Sequence, residues 1–97
     1  MSSLSTHVLD TAKPKPGLAL SLVARNNEVL GTATTDADGR ARFATAVEGA
    51  TTLRFDTATI SDFFPEVVLT FVADAARPHH HVPLLLSPFA YSTYRGS

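Results

Sequence analysis

Apolar and polar residues in this chain alternate over short runs and do not recur at helical spacing. Apolar positions at i, i+3, i+4 and i+7 never persist free of Gly, Pro or turn signals, whereas alternating or β-branched runs return about every ten residues. The pattern predicts strands over Leu4 to Leu9, Leu18 to Arg25, Glu28 to Thr35, Ala41 to Ala44, Thr51 to Asp56, Glu66 to Ala73, His79 to Leu86 and Tyr91 to Tyr94. About eight short strands at this spacing predict an all-β fold, a sandwich of two sheets.

The residues between the runs agree. Lys13-Pro14-Lys15-Pro16-Gly17 reads as a link between the first two strands, because its prolines lack amide donors and its glycine frees the backbone. Asn26-Asn27 is a tight hairpin signal, both residues tolerating positive φ. In Thr35-Asp36-Ala37-Asp38-Gly39-Arg40 the Asp side chains can cap backbone amides while Gly39 takes a left-handed position, and Glu48-Gly49 marks another turn. Only Thr59 to Phe64 has room for a helical turn, one at most, with Ser61 or Thr59 as its cap and Pro65 ending it.

Length and charge narrow the function classes. Ninety-seven residues make one domain, 1–97. With no cysteine the chain has no disulfide, thiolate ligand or thiol nucleophile, so burial and backbone hydrogen bonds hold the fold. Eight Lys and Arg against nine Asp and Glu give a net charge of −1, without the basic stripe that nucleic acid requires. No apolar run is longer than Leu84-Leu85-Leu86, far short of a membrane span, and Met1 to Thr6 lacks the regions of a secretory signal, so the expected location is cytoplasmic. A chain this small buries only about 60 to 70% of its unfolded surface, which favours assembly.

The chemistry is concentrated in four histidines, one arginine and the tail. In a strand His79 and His81 share one face and His80 takes the other, so a metal site would need His7 as its third ligand; the bland alternative is histidines that are solvated or hydrogen-bonded. Asp36-Ala37-Asp38-Gly39 fails as a calcium loop, since Ala41 and Val47 occupy the positions that need Gly and Glu. That turn instead presents Arg40 at the mouth of a strand, as a fixed planar cation or as a surface ion-pair partner of Asp36 or Asp38. No G-x-S-x-G elbow, phosphate loop or carboxylate pair is present. Imidazoles, an arginine and hydroxyls suit water activation and oxyanion stabilisation. The tail places Tyr91, Tyr94 and Arg95 where chain ends are normally small and polar, so it reads as docked. Val82-Pro83-Leu84-Leu85-Leu86 is apolar on both faces of a strand, as a subunit interface would be.

Three segments together closely resemble the 5-hydroxyisourate hydrolases, the transthyretin-like enzymes of urate degradation. They are Leu4-Ser5-Thr6-His7-Val8-Leu9-Asp10-Thr11, Thr35-Asp36-Ala37-Asp38-Gly39-Arg40, and His81-Val82-Pro83-Leu84-Leu85-Leu86-Ser87-Pro88 followed by Tyr91-Ser92-Thr93-Tyr94-Arg95-Gly96-Ser97. The ending Tyr-Arg-Gly-Ser separates these enzymes from transthyretin, the hormone carrier. The resemblance implies a transthyretin-like sandwich, a homotetramer built as a dimer of dimers, and active sites at the dimer–dimer interface. It implies hydrolysis of the small-molecule substrate 5-hydroxyisourate without cofactor or metal. Carried over by position, His7, Arg40, His81 and Ser97 would be catalytic, and Tyr94, Arg95 and Gly96 would bind substrate. A carrier that binds a small aromatic molecule without turnover is the alternative, and the polar tail speaks against it. The chain departs from the family in the stiff Pro14-Lys15-Pro16-Gly17 loop, in a shortened segment between Thr57 and Phe63 where the family carries its helix, and in His80 where the family often has Tyr.

Overall fold

Alternation along the first strand sets the layers. In a computed structural model that describes residues 2–24 and 26–96, Leu4, Thr6 and Val8 of β1 (Ser2–Asp10) turn inward and are buried, leaving Ser5 and His7 facing outward. Thr6 is tolerated inside because its hydroxyl donates to the Val82 carbonyl at 2.6 Å. β1 is the hub of the first sheet. One side pairs antiparallel with β5 (Arg40–Val47) and, at its far end, with the two-residue β2 (Lys13–Pro14). The other side pairs parallel with β8 (His79–His81) and β9 (Leu84–Ser87), and β9 pairs in turn with β10 (Ala90–Thr93).

The second sheet runs β4-β3-β6-β7, formed by β3 (Ala19–Val23), β4 (Val29–Thr34), β6 (Gly49–Asp56) and β7 (Glu66–Ala73). Between the sheets lies one apolar cluster that includes Leu4, Val8, Leu22, Phe43, Leu53, Phe55, Val67 and Leu84. Phe55, Leu53, Leu4 and Leu84 are fully enclosed. Burying each such side chain stabilises the fold by about 1.5–3 kcal/mol. Among the described residues no helix is long and apolar enough to cross a membrane.

Two features depart from the sequence pattern. The strand expected over His79 to Leu86 is two strands, because Pro83 has no N–H to give the ladder. Its register survives the break: Ser5 stands opposite His81 and Val8 opposite Leu84, three residues further on in both strands. β9 is therefore an interior strand whose Leu84 and Leu86 enter the core, leaving Leu85 half-buried on the outer face. Lys13-Pro14, expected as pure link, closes a short hairpin with Leu9 and Asp10 through Thr11 and Ala12, both at positive φ. Proline is admissible there because β2 lies at a sheet edge. Elsewhere Gly39 takes the expected left-handed position, Asn27 of the Asn26-Asn27 hairpin is at positive φ, and so is Gly49 in the turn expected at Glu48-Gly49. Residues 57–64 form a turn closed by Ser61 N–H donating to the Thr57 carbonyl at 2.9 Å, with no helix. Arg25, the expected end of the second strand, lies outside the described residues.

Candidate active site

The outer face of β1, β5 and β8 carries the chemistry. Antiparallel pairing sets His7 opposite Arg40 and Ser5 opposite Arg42, while parallel pairing sets Ser5 opposite His81 and Ser3 opposite His79. Because side chains on a strand alternate with period two, these groups share one face. Of this set Ser5, Arg40, Arg42, His79 and His81 line, with Asp36 among others, a cavity of about 590 Å³, whereas His7 and Ser3 are on the same face outside its lining.

The turn before β5 is built for Arg40. Asp36 Oδ1 accepts the N–H groups of Asp38 at 2.9 Å and Arg40 at 3.0 Å. Those bonds, the Arg40 amide first, hold the Asp36 carboxyl below its usual range. Gly39 is required here for two reasons. Its φ is +77°, and a Cβ would lie 2.6 Å from the Val8 carbonyl oxygen and 2.9 Å from the Lys15 nitrogen. The same turn orients His7, whose Nε2 donates to the Asp38 carbonyl at 2.8 Å. Among the described residues Arg40 and Arg42 enter no ion pair, so the expected alternative of an Arg40 pair with Asp36 or Asp38 is not formed.

His81 is half-buried, and its Nδ1 lies 2.8 Å from Ser5 Oγ. Burial, then the cationic forms of His7 and His79 and the Arg40 guanidinium, push its pKa below the usual 6.5. The neutral imidazole, the form able to take a proton, is thereby favoured at neutral pH. Gly96 closes over this residue. Its N–H donates to the His81 carbonyl at 2.7 Å, and a Cβ at Gly96 would sit 2.8 Å from His81 Cδ2. Gly96, expected as a substrate contact, thus acts here on the imidazole.

Tyr94 and Arg95 are exposed, and neither lines the cavity; Ser97 lies outside the described residues. His80 faces the interior, 3% exposed. Its Nε2 accepts the Asp74 N–H at 3.1 Å, and its ring centre is 6.1 Å from that of Phe71. Among the described residues no three His, Asp or Glu side chains group as metal ligands. Ser5, which the first family-like segment contains without a role, and Arg42, which no motif marks, join the site, although two-residue spacing from His7 and Arg40 puts both on the same strand face.

The HIUase/Transthyretin family model matches residues 4–96. The chain is 40% identical to the 5-hydroxyisourate hydrolase of Caulobacter vibrioides over 115 aligned positions that cover both chains completely. That alignment is longer than the 97 residues here, so the relative carries insertions. The solved Klebsiella pneumoniae 5-hydroxyisourate hydrolase superposes with a TM-score of 0.84 at 38% identity, both chains fully covered. Sea bream transthyretin, solved in complex with thyroxine, gives 0.74 at 25% identity over 96% of this chain and 93% of its own. With the two sheets and the three sequence segments all in place, the chain belongs to the HIUase/Transthyretin family.

Proposed function

We propose that the protein hydrolyses 5-hydroxyisourate, opening its six-membered ring to give 2-oxo-4-hydroxy-4-carboxy-5-ureidoimidazoline. One observation carries this reading: Arg40 and His81, distant in sequence, line one cavity large enough for a bicyclic purine derivative, with His7 paired opposite Arg40 on the same face. The names of the full-length relatives support it.

The reaction follows from the groups present. An imidazole takes a proton from water, and the resulting hydroxide attacks the ring carbonyl next to the quaternary carbon. Arg40 binds the substrate's carbonyl oxygens and neutralises the charge that develops on the attacked one. The carbonyl reforms as the C–N bond breaks, and the imidazolium returns its proton to the leaving nitrogen. Arg42 adds positive charge where the product carboxylate appears. The family resemblance assigns Tyr94, Arg95 and Ser97 to the site, and Gly96, packed on His81, is where the tail reaches it.

The same proposal includes a homotetramer, a dimer of dimers, of single domains spanning 1–97, working in the cytoplasm. Supporting assembly, the edge strand β7 exposes Val68 and Val72, while Phe89, Tyr91 and Tyr94 are exposed in and around the edge strand β10.

The test follows the ultraviolet absorbance of freshly generated 5-hydroxyisourate. Decay should accelerate in proportion to added protein, and His81→Ala and Arg40→Ala should each lower the rate by about 10² or more. Decay at the spontaneous rate would refute the activity. Sedimentation should return four times the chain mass.

A further inference from the structure

Ser3, Ser5, His79 and His81 form a continuous hydrogen-bonded chain along the outer face of β1 and β8. Ser5 Oγ is 2.8 Å from His81 Nδ1 and 2.8 Å from His79 Nε2. His79 Nδ1 is 2.5 Å from Ser3 Oγ, which lies 3.3 Å from the Pro78 carbonyl oxygen. The chain follows from register, since parallel pairing sets Ser3 against His79 and Ser5 against His81.

Each hydroxyl has one proton to donate, and each neutral imidazole has one. Such a chain can run in two directions, and only one of them also uses the Pro78 carbonyl, which can only accept. In that direction Ser3 donates to Pro78 and accepts from the N–H at His79 Nδ1. The bare His79 Nε2 accepts the Ser5 proton, and Ser5 Oγ accepts from the N–H at His81 Nδ1. The free lone pair of His81 is then on Nε2. His7 is held differently: its Nε2 proton is committed to the Asp38 carbonyl, leaving only the ring nitrogen nearest its own backbone.

We infer that Ser5 and His79 are positioning residues that lock His81 in its Nδ1-protonated tautomer, making His81, through Nε2, the base that activates water. The inference rests on the hydrolase reading and deepens it. The surroundings agree. His79 on the same strand, His7 from β1, and Arg40 and Arg42 from β5 are all cationic or able to become so, and the one carboxylate among the described residues that line the cavity, Asp36, is engaged by backbone amides. Nothing in this set draws a second proton onto His81 in the resting state.

The test has a spectroscopic arm and a kinetic arm. In ¹⁵N-labelled wild-type protein at a pH of about 8, where imidazoles are neutral, the long-range ¹H–¹⁵N spectrum should show His81 protonated at Nδ1, with the resonance identified by its loss in His81→Ala. Ser5→Ala should release that tautomer and lower kcat at least about tenfold with little change in KM. Ser5→Thr, which keeps the hydroxyl, should restore both. His79→Gln, which leaves an acceptor near the Nε2 position, should retain more activity than His79→Leu. An Nε2-protonated His81 in the wild type, or wild-type kcat in Ser5→Ala, overturns the inference, and equal losses in the two His79 variants remove His79 from it. Failure of the wild type to turn over substrate would instead overturn the hydrolase reading, with the spectrum still deciding the tautomer.

Discussion

Replacing Gly96 with alanine probes how closely the tail and the His81 imidazole are fitted. A Cβ built at Gly96 meets His81 Cδ2 at 2.8 Å, His81 Cβ at 3.1 Å and the His81 carbonyl oxygen at 3.2 Å. Carbon atoms in ordinary contact sit about 3.5–4.0 Å apart, so the two groups must separate by about 0.7–1.2 Å. Either the imidazole yields and leaves its bond to Ser5, or the tail lifts and strains the 2.7 Å bond from Gly96 N–H to the His81 carbonyl. Both routes disturb the site. A displacement of about 1 Å in a catalytic group can cost about 10² in rate, so kcat of Gly96→Ala should fall by about 10 to 100-fold. Stability should change little, because Gly96 is outside the apolar cluster and its φ is not in the left-handed region. The assay pairs 5-hydroxyisourate decay with a thermal melt of the same sample. Wild-type kcat in the variant would refute the reasoning, and a collapse of the melt would show that Gly96 serves the fold.

Gly39→Ala should act mainly on the fold. Positive φ costs a non-glycine residue about 1–2 kcal/mol, and overlap with the Val8 carbonyl and Lys15 nitrogen raises the total to at least about 2–4 kcal/mol. The melting temperature should then drop by roughly 10 °C or more, and an unchanged melt would contradict the turn's assigned role. His80→Tyr should keep wild-type kcat, because His80 faces the interior and bonds Asp74; loss of turnover in a variant that still melts cooperatively would place His80 in the site. The acid limb of kcat/KM should fall below pH 6.5, the ordinary histidine value, since burial and neighbouring positive charge disfavour protonated His81. The same shift links to stability. With the folded-state pKa depressed, the contribution is complete above the unfolded value near 6.5 and is lost as pH falls through the folded one. An acid limb centred at or above 6.5 would contradict it.

Much of the fold is legible in the sequence because strands are a local signal. Period-two burial places Leu4, Thr6 and Val8 inside and Ser5 and His7 outside, and turn chemistry alone marks Asn26-Asn27, Gly39 and Glu48-Gly49 as turn positions, where Asn27, Gly39 and Gly49 take positive φ. His80 separates from His79 and His81 by the same alternation. The division of His79 to Leu86 is less legible, since Val82-Pro83 could end a strand or interrupt one, and pairing with β1 on both sides of the proline decides it.

By itself the sequence determined the all-β class, the faces of its strands, the Asp36 to Arg40 turn and the identity of the candidate catalytic groups, through properties that depend on neighbours in the chain. Only the tertiary structure decided which strands pair and in what register. That register brings Ser5 to both His79 and His81, His7 to Arg40, and Gly96 onto the His81 ring. These contacts join strands far apart in the chain. Alternation says which way a side chain points; the hydrogen-bonded ladder between distant strands says what it meets.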